Sequence, residues 1–245
     1  MKGTTPEGAR TEREAAAWVR EMFGRVAHRY DFANHLLSFN MDRRWRAHTV
    51  RTVREILERP RARILDICCG TGDLLLALAV GRPEGNPVLG ADFSHPMLLH
   101  AREKIENRQA SAFIFESDAL NLPLRNNSLD LVTAAFGFRN LANYERGLSE
   151  IYRVLRRGGK VAILEFSQPK AGFFGSLYVF YSRRILPWIG GAISGNPDAY
   201  RYLPESVRKF PSPEDLAKSM RAAGFAEVHY ELLTGGIVAL HIGTA

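Results

Sequence analysis

Five short apolar runs, separated by segments of helical character, dominate the middle of this chain and limit what it can fold into. The runs are RILDI (63–67), PVLGA (87–91), AFIFE (112–116), LDLVTAAF (129–136) and KVAILEF (160–166). Each is too short for a stable helix, and none alternates apolar with polar, so each reads as a strand buried on both faces. Helices fit between them at roughly 72–80, 95–107 and 143–156. Strand and helix in alternation build a parallel sheet covered on both sides, an α/β fold. Two further strands, about 226–232 and 237–243, flank a Gly-Gly turn at 235–236 and should pair antiparallel. A helix starts at Ser212-Pro213-Glu214-Asp215, with serine as cap and proline in the first turn.

Before Pro60 the pattern is helical. Thr11-Glu12-Arg13-Glu14 forms a capping box that opens a helix through about Ala27, and a second helix covers Arg43 to Glu58. HRYDFANHLLSFNMDRRWR, between them, has no clean period. Residues 1–10 are polar with Gly and Pro and are expected to form a disordered tail. The reading is one domain over 11–245, with a helical cap at 11–60 and an insertion at 171–211 that faces substrate or membrane.

The chain has 245 residues and a formal net charge of +7, but its basic residues are scattered apart from clusters such as Arg43, Arg44 and Arg46. Without a dense basic stripe, a nucleic-acid partner is not expected. No run of about eighteen apolar residues exists to span a bilayer. FFGSLYVFYSRRILPW (173–188) could instead lie on a membrane surface, its apolar residues toward lipid and Arg183 and Arg184 near headgroups. The only cysteines, Cys68 and Cys69, are adjacent and so are poorly placed for a disulfide; two ligands do not close a zinc site either. They read as small packing residues of a cytoplasmic protein, and no metal is expected.

The chemistry sits at strand ends. ILDICCGTGDL (64–74) carries a strand ending near Asp66, then Gly70-Thr71-Gly72 and a helix start. The glycines admit tight backbone geometry and close approach of a ligand. The dinucleotide pattern G-x-G-x-x-G is absent, because Asp73-Leu74-Leu75 follows Gly72, and so is a phosphate loop's Gly-Lys-Ser/Thr. Asp92 ends the second strand, twenty residues past Gly72, where a carboxylate can accept from both ribose hydroxyls of an adenosine. Asp118-Ala119 follows the third strand, where a carboxylate could take the adenine amine. These three strand ends describe a nucleoside cradle without a pyrophosphate grip.

This combination resembles the class I methyltransferases, which bind S-adenosylmethionine. YDFANHLLS (30–38), FGFRN (136–140), RVLRRGGKVAILEFS (153–167), YRYLPESVRKFP (200–211) and LTGGIVALHIGTA (233–245) are similar, more narrowly, to the ubiquinone/menaquinone biosynthesis C-methyltransferase family. The resemblance implies a Rossmann-like fold with a seven-stranded, mostly parallel sheet. It implies C-methylation of a polyprenylated quinol, demethylmenaquinol first and the ubiquinone precursor second, with S-adenosylmethionine as cofactor. It assigns cofactor contacts to Thr71, Asp92, Asp118 and Ala119; the strand-end reading adds Asp66, Gly70 and Gly72. Arg139 and Asp118 are the candidate catalytic residues, Arg139 to orient or polarise a quinol hydroxyl and either residue to hold a water base. The sequence departs from the family pattern at Ala33, Asp42, Ala135 and Arg157. A peripheral contact at the inner membrane face is expected. Oligomeric state stays open, with a homodimer among the options. Two alternatives also stay open: another lipid acceptor such as phosphatidylethanolamine, and a non-catalytic module that binds S-adenosylmethionine.

Overall fold

The computed structural model describes residues 3–4, 6, 8–82, 86–169 and 197–245. The chain runs α1 (Glu12–Leu37), α2 (Met41–Thr52), α3 (Arg54–Leu57), β1 (Ile64–Ile67), α4 (Asp73–Val80), β2 (Val88–Asp92), α5 (His95–Arg108), β3 (Ala112–Glu116) and β4 (Leu129–Ala135). It continues with a 3-10 turn (Phe138–Asn140), α6 (Tyr144–Val154), β5 (Leu155–Phe166), α7 (Pro197–Lys209), α8 (Pro213–Ala222), β6 (Ala226–Leu233) and β7 (Val238–Thr244).

All seven strands join one sheet in the order β3-β2-β1-β4-β5-β7-β6. The pairs from β3 through β5 are parallel, and β7 pairs antiparallel with both β5 and β6. This is the expected seven-stranded, mostly parallel Rossmann-like sheet. Every residue of β1 is buried, as is β4 through Ala134, which explains their unbroken apolar runs. Core residues pack on both faces. Leu65, Ile67, Leu148, Ile151 and Leu216 belong to one cluster, and Trp45, Ile64, Leu75, Leu78 and Leu240 to the other. The chain order reverses between β1 and β4, and in such sheets the crevice beyond the strands' carboxyl ends receives ligands.

Two elements run past their sequence-read limits. α1 does not stop near Ala27 but continues to Leu37. Its capping box is present, with Thr11 Oγ1 accepting from the Glu14 amide. The added turns look irregular in sequence because polar residues hold them down: Asp31 accepts from Thr71 Oγ1, and His35 Nδ1 pairs with Asp42 Oδ2 at 2.7 Å. Apolar periodicity cannot register such contacts. β5 begins at Leu155 rather than near 160, because Arg156 to Gly159 form an irregular extension. There Gly158 N donates to Ala245 O at 2.6 Å, and Ala245 N donates to Gly159 O at 2.8 Å.

Within the stretch read as tail, Thr4 is buried; its Oγ1 lies 2.7 Å from Tyr202 Oη and its amide donates to Leu141 O. Residues 171–196 of the insertion, including the stretch read as membrane-facing, lie outside the described residues.

Candidate active site

A cavity of about 970 Å³, counting its open mouth, lies beyond the carboxyl ends of β1, β2, β3 and β4. Asp66, Gly70, Thr71, Asp92, Asp118 and Ala119 all line it, so the strand ends singled out in sequence converge. Gly72 stands one step back as the left-handed cap of α4, at φ +84°. A Cβ on it would lie 3.3 Å from Ala101 Cβ, so glycine here lets the loop pack on α5. Gly70 differs: at φ +54°, a Cβ would meet nothing within 4 Å. Gly70 lines the cavity, so its bare backbone leaves room for a ligand.

Each carboxylate has a distinct environment. Asp92 Oδ2 accepts from the Gly70 amide and Oδ1 from the Ser94 amide, both at 2.8 Å. Burial pushes its pKa up to about 6 in spite of these donors. Asp66 Oδ1 accepts from Thr133 Oγ1 at 2.7 Å, and burial pushes it to about 7. Asp118 is exposed and accepts from the Leu120 amide at 2.9 Å. Cys68 and Cys69 also line the cavity, but burial and then the Asp92 charge push both thiols well above their usual values. They are neutral walls at neutral pH.

Cys68 and Phe136 directly follow β1 and β4, and both hold positive φ, at 50° and 59°. Such conformations are costly for side-chain-bearing residues and persist where surroundings enforce them. Gly137 lets the two turns approach closely, since a Cβ on it would come within 2.4 Å of Cys68 Cβ.

α1 crosses the mouth. Ala16, Phe23 and Tyr30, spaced by seven, present one face of the helix to the cavity. Asp31 joins it to the glycine loop through Thr71, and Lys104 Nζ binds Asp31, Thr71 Oγ1 at 3.2 Å and Asp73 Oδ1 at 2.7 Å. Burial pushes Asp73 up, but Arg46 and Lys104 outweigh it and hold the group below its usual value.

Arg139 and Asn140 lie together in the 3-10 turn after β4. Asn140 lines the cavity; Arg139 stands behind the wall, 4% exposed. Arg139 Nη1 donates to Glu165 Oε1 at 2.9 Å and to Phe136 O, its amide donates to Glu165 Oε2, and Nε donates to Ser206 Oγ at 3.3 Å. Burial pushes the guanidinium pKa down, but Glu165 and then the Tyr30 and Tyr202 phenols outweigh it, so Arg139 stays charged. Tyr202, on α7, packs against α1, its ring 5.1 Å from Trp18 and its Oη donating to Asn140 Oδ1 at 3.0 Å. The side chain of Tyr200, and Tyr181 entirely, lie outside the described residues.

Sequence reasoning missed Arg46 and Lys104. Arg46 looks like one member of a surface arginine cluster. The usable signal was Asp42 four residues earlier, on the face of α2 that also buries Trp45 and Thr49.

The family model described as the ubiE/COQ5 methyltransferase family matches residues 9–245. A demethylmenaquinone methyltransferase of Thermus thermophilus is 53% identical over 222 residues, which cover 91% of this chain and 99% of that protein. A ubiquinone/menaquinone biosynthesis C-methyltransferase of Stenotrophomonas maltophilia is 41% identical over 247 residues, covering 98% of this chain and 96% of that one. Among solved structures, a SAM-dependent methyltransferase from Thermotoga maritima superposes with a TM-score of 0.61 at 21% identity, covering 91% of this chain and 98% of that one; it shares the fold.

Proposed function

The chain belongs to the ubiE/COQ5 methyltransferase family, and from that premise we propose that it methylates a ring carbon of a polyprenylated quinol with S-adenosylmethionine. Demethylmenaquinol is the first acceptor in this reading and the ubiquinone precursor the second. The observation that carries it is the convergence of Asp66, Asp92, Asp118 and the bare backbone of Gly70 on one cavity in a chain of this family.

Those residues fit the cofactor's chemistry. Asp92 has its backbone donors on the protein side and keeps lone pairs for two ribose hydroxyls. Asp118 and Ala119 suit the adenine edge. Asp66, with Gly70, Thr71 and Gly72 around it, suits the cationic methionyl end. When bound, the cofactor supplies an electrophilic sulfonium methyl.

The chain's own residues would then do three things. Phe23, Tyr30, Phe93 and Phe136 line the cavity with aromatic surface, which excludes water and suits a flat quinol ring. α1, latched through Asp31 and Thr71, would keep ring carbon and methyl donor in line. A quinol hydroxyl must lose its proton to make the adjacent carbon nucleophilic. Burial raises the Tyr30 pKa at the cavity wall and the Arg139 charge offsets part of that rise, so Arg139 would ease formation of an anionic oxygen nearby; Asp118 could hold a water that takes the proton. Catalytic roles for Arg139 and Asp118 are part of the proposal.

The prenyl tail leads to a further element of the proposal, a cytoplasmic protein touching the inner membrane face; the oligomeric state stays open, with a homodimer the first to look for. No helix among the described residues is long and apolar enough to cross a membrane. Flotation with anionic liposomes tests the contact; protein staying at the bottom of the gradient contradicts it.

To test the function, the purified protein is incubated with S-adenosylmethionine and, in parallel, reduced demethylmenaquinol, a ubiquinone precursor or phosphatidylethanolamine. Mass spectrometry should find an added methyl on a quinol ring. Methylated lipid amine alone, or no methylated product despite cofactor binding, would replace this reading with one of the alternatives.

A further inference from the structure

The cavity is rich in anions. Asp66, Asp73, Asp92 and Asp118 all line it, and among the described residues Arg46 is the one arginine or lysine that does so. The cofactor of the proposed reaction brings a sulfonium, an ammonium, hydroxyl and amine donors, and one carboxylate. The acids account for the cations and donors. The carboxylate is left, and an anion taken from water among four aspartates needs a cationic partner.

Arg46 is built for that purpose. Its side chain is 11% exposed and its guanidinium lies 5.3 Å over the Phe136 ring, at the end of β4. Nη1 is held by Asp42. Asp42 is held in turn by Ser38 Oγ and His35 Nδ1, each at 2.7 Å. Nη2 is 3.8 Å from Asp73 Oδ2 and has no acceptor within hydrogen-bond distance among the described residues. Asp73 does not depend on Arg46 alone, because Lys104 Nζ sits 2.7 Å from it. Nη1 is therefore anchored by a hydrogen bond, while among the described residues Nη2 has only the longer ion pair with Asp73, in a side chain that lines the cavity. A planar guanidinium fork recognises a carboxylate in that state.

His35, Asp42 and Asp73 also bring ligand atoms within 4.8 Å of one another, a spacing that could hold a metal ion. Arg46 already supplies the positive charge at Asp42 and Asp73, so the cluster is better understood as an anchor for the arginine.

We propose that Arg46 is the binding residue for the α-carboxylate of the cofactor's methionyl group, oriented for that task by Asp42 and His35. The inference rests on the S-adenosylmethionine reading above and adds the anion subsite that the strand-end acids do not provide. Arg46 thereby selects the amino-acid cofactor over nucleosides that lack a carboxylate.

The test compares S-adenosylmethionine with its decarboxylated form, which keeps the adenosine, sulfonium and ammonium. Both are titrated calorimetrically into the parent protein, Arg46→Gln and Arg46→Lys, with thermal unfolding as a check on folding. The parent should bind S-adenosylmethionine the more tightly. Arg46→Gln should weaken it by roughly 10- to 100-fold, the range of a charged hydrogen bond, and leave the decarboxylated ligand within about twofold, no larger than the usual scatter of non-interacting sites. Arg46→Lys should fall between the two and is the informative variant if Arg46→Gln does not fold. Equal weakening of both ligands, or of neither, overturns the proposal and leaves Arg46 as a staple between α2 and α4. A parent protein that binds neither ligand removes the cofactor reading itself, a different failure.

Discussion

Gly137→Ala isolates a single steric contact behind the glycine loop. The Gly137 backbone sits at φ −114°, ψ −28°, which alanine adopts freely, so the substitution adds no backbone strain. Its effect comes from one carbon. The new Cβ would lie 2.4 Å from Cys68 Cβ and 3.2 Å from Cys68 O. Carbon atoms pack best at about 3.5–4.0 Å, so the turn after β1 must retreat from the turn after β4 by about 1 Å. Forced overpacking in a tight core costs about 1–3 kcal/mol. For a chain of this size that lowers the melting temperature by roughly 2–12 °C. Because the displaced segment carries Gly70 and Thr71, cofactor affinity should drop as well. The assay is thermal unfolding plus calorimetric titration of S-adenosylmethionine. Cys68→Gly in the same chain removes the opposing Cβ at a residue with φ 50°, a conformation glycine takes without strain, and should recover most of both losses. Cys68→Ala keeps the Cβ and should recover little. The reasoning is refuted if Gly137→Ala melts with the parent, or if Cys68→Ala rescues as well as Cys68→Gly.

Other outcomes follow from the carboxylates and the buried ion pair. Asp66 and Asp92 titrate near pH 7 and pH 6 in the folded protein, above the unfolded carboxylate range. The folded state thus holds protons that the unfolded state releases, and the stability these groups contribute to the ligand-free protein lessens as pH rises from about 4 through those values. A cationic cofactor favours their ionised forms, so binding at pH 6.5 should release roughly one proton; calorimetry in buffers of different ionisation enthalpy measures it, and no release would contradict the site. Cofactor affinity should fall as pH drops below about 7, where Asp66 and then Asp92 take up protons, and Asp92→Asn should make that fall less steep below about pH 6 while weakening binding throughout. Glu165→Ala leaves the Arg139 charge buried without its partner and should cost about 3–5 kcal/mol in denaturant unfolding; a loss under about 1 kcal/mol would mean the pair is solvated. Arg139→Lys keeps the charge but cannot span Glu165, Phe136 O and Ser206 together, so turnover should fall while cofactor affinity stays within about twofold; collapse of cofactor binding would put Arg139 in the cofactor site instead.

The sheet was legible because β1, β2, β4 and β5 are buried, and unbroken apolar runs are the trace that burial leaves. Asp92 and Asp118 were legible as acids at strand ends, where a parallel sheet presents its ligands. Hydropathy says nothing about pairs made across the fold, and this is where the reading stopped. The last ten residues of α1 are held by Asp31 and His35 reaching Thr71 and Asp42, contacts that exist only once α1 lies on the glycine loop. Arg46 sits among surface arginines in sequence and in the cavity wall in space. Arg139 illustrates the converse. Its place after a strand end points to the cavity, yet Glu165 on the neighbouring strand β5 draws the guanidinium behind the wall.

The central claim is that an electron-rich quinol ring takes a methyl group in a cavity built from these strand ends. The most direct measurement is transfer of label from methyl-labelled S-adenosylmethionine to chemically reduced demethylmenaquinol, with the oxidised quinone alongside. The account predicts label in menaquinol for the reduced acceptor and none for the oxidised one. Equal labelling of both would contradict the need for an ionised hydroxyl, and no labelling of either, in a protein that binds the cofactor, would contradict the acceptor.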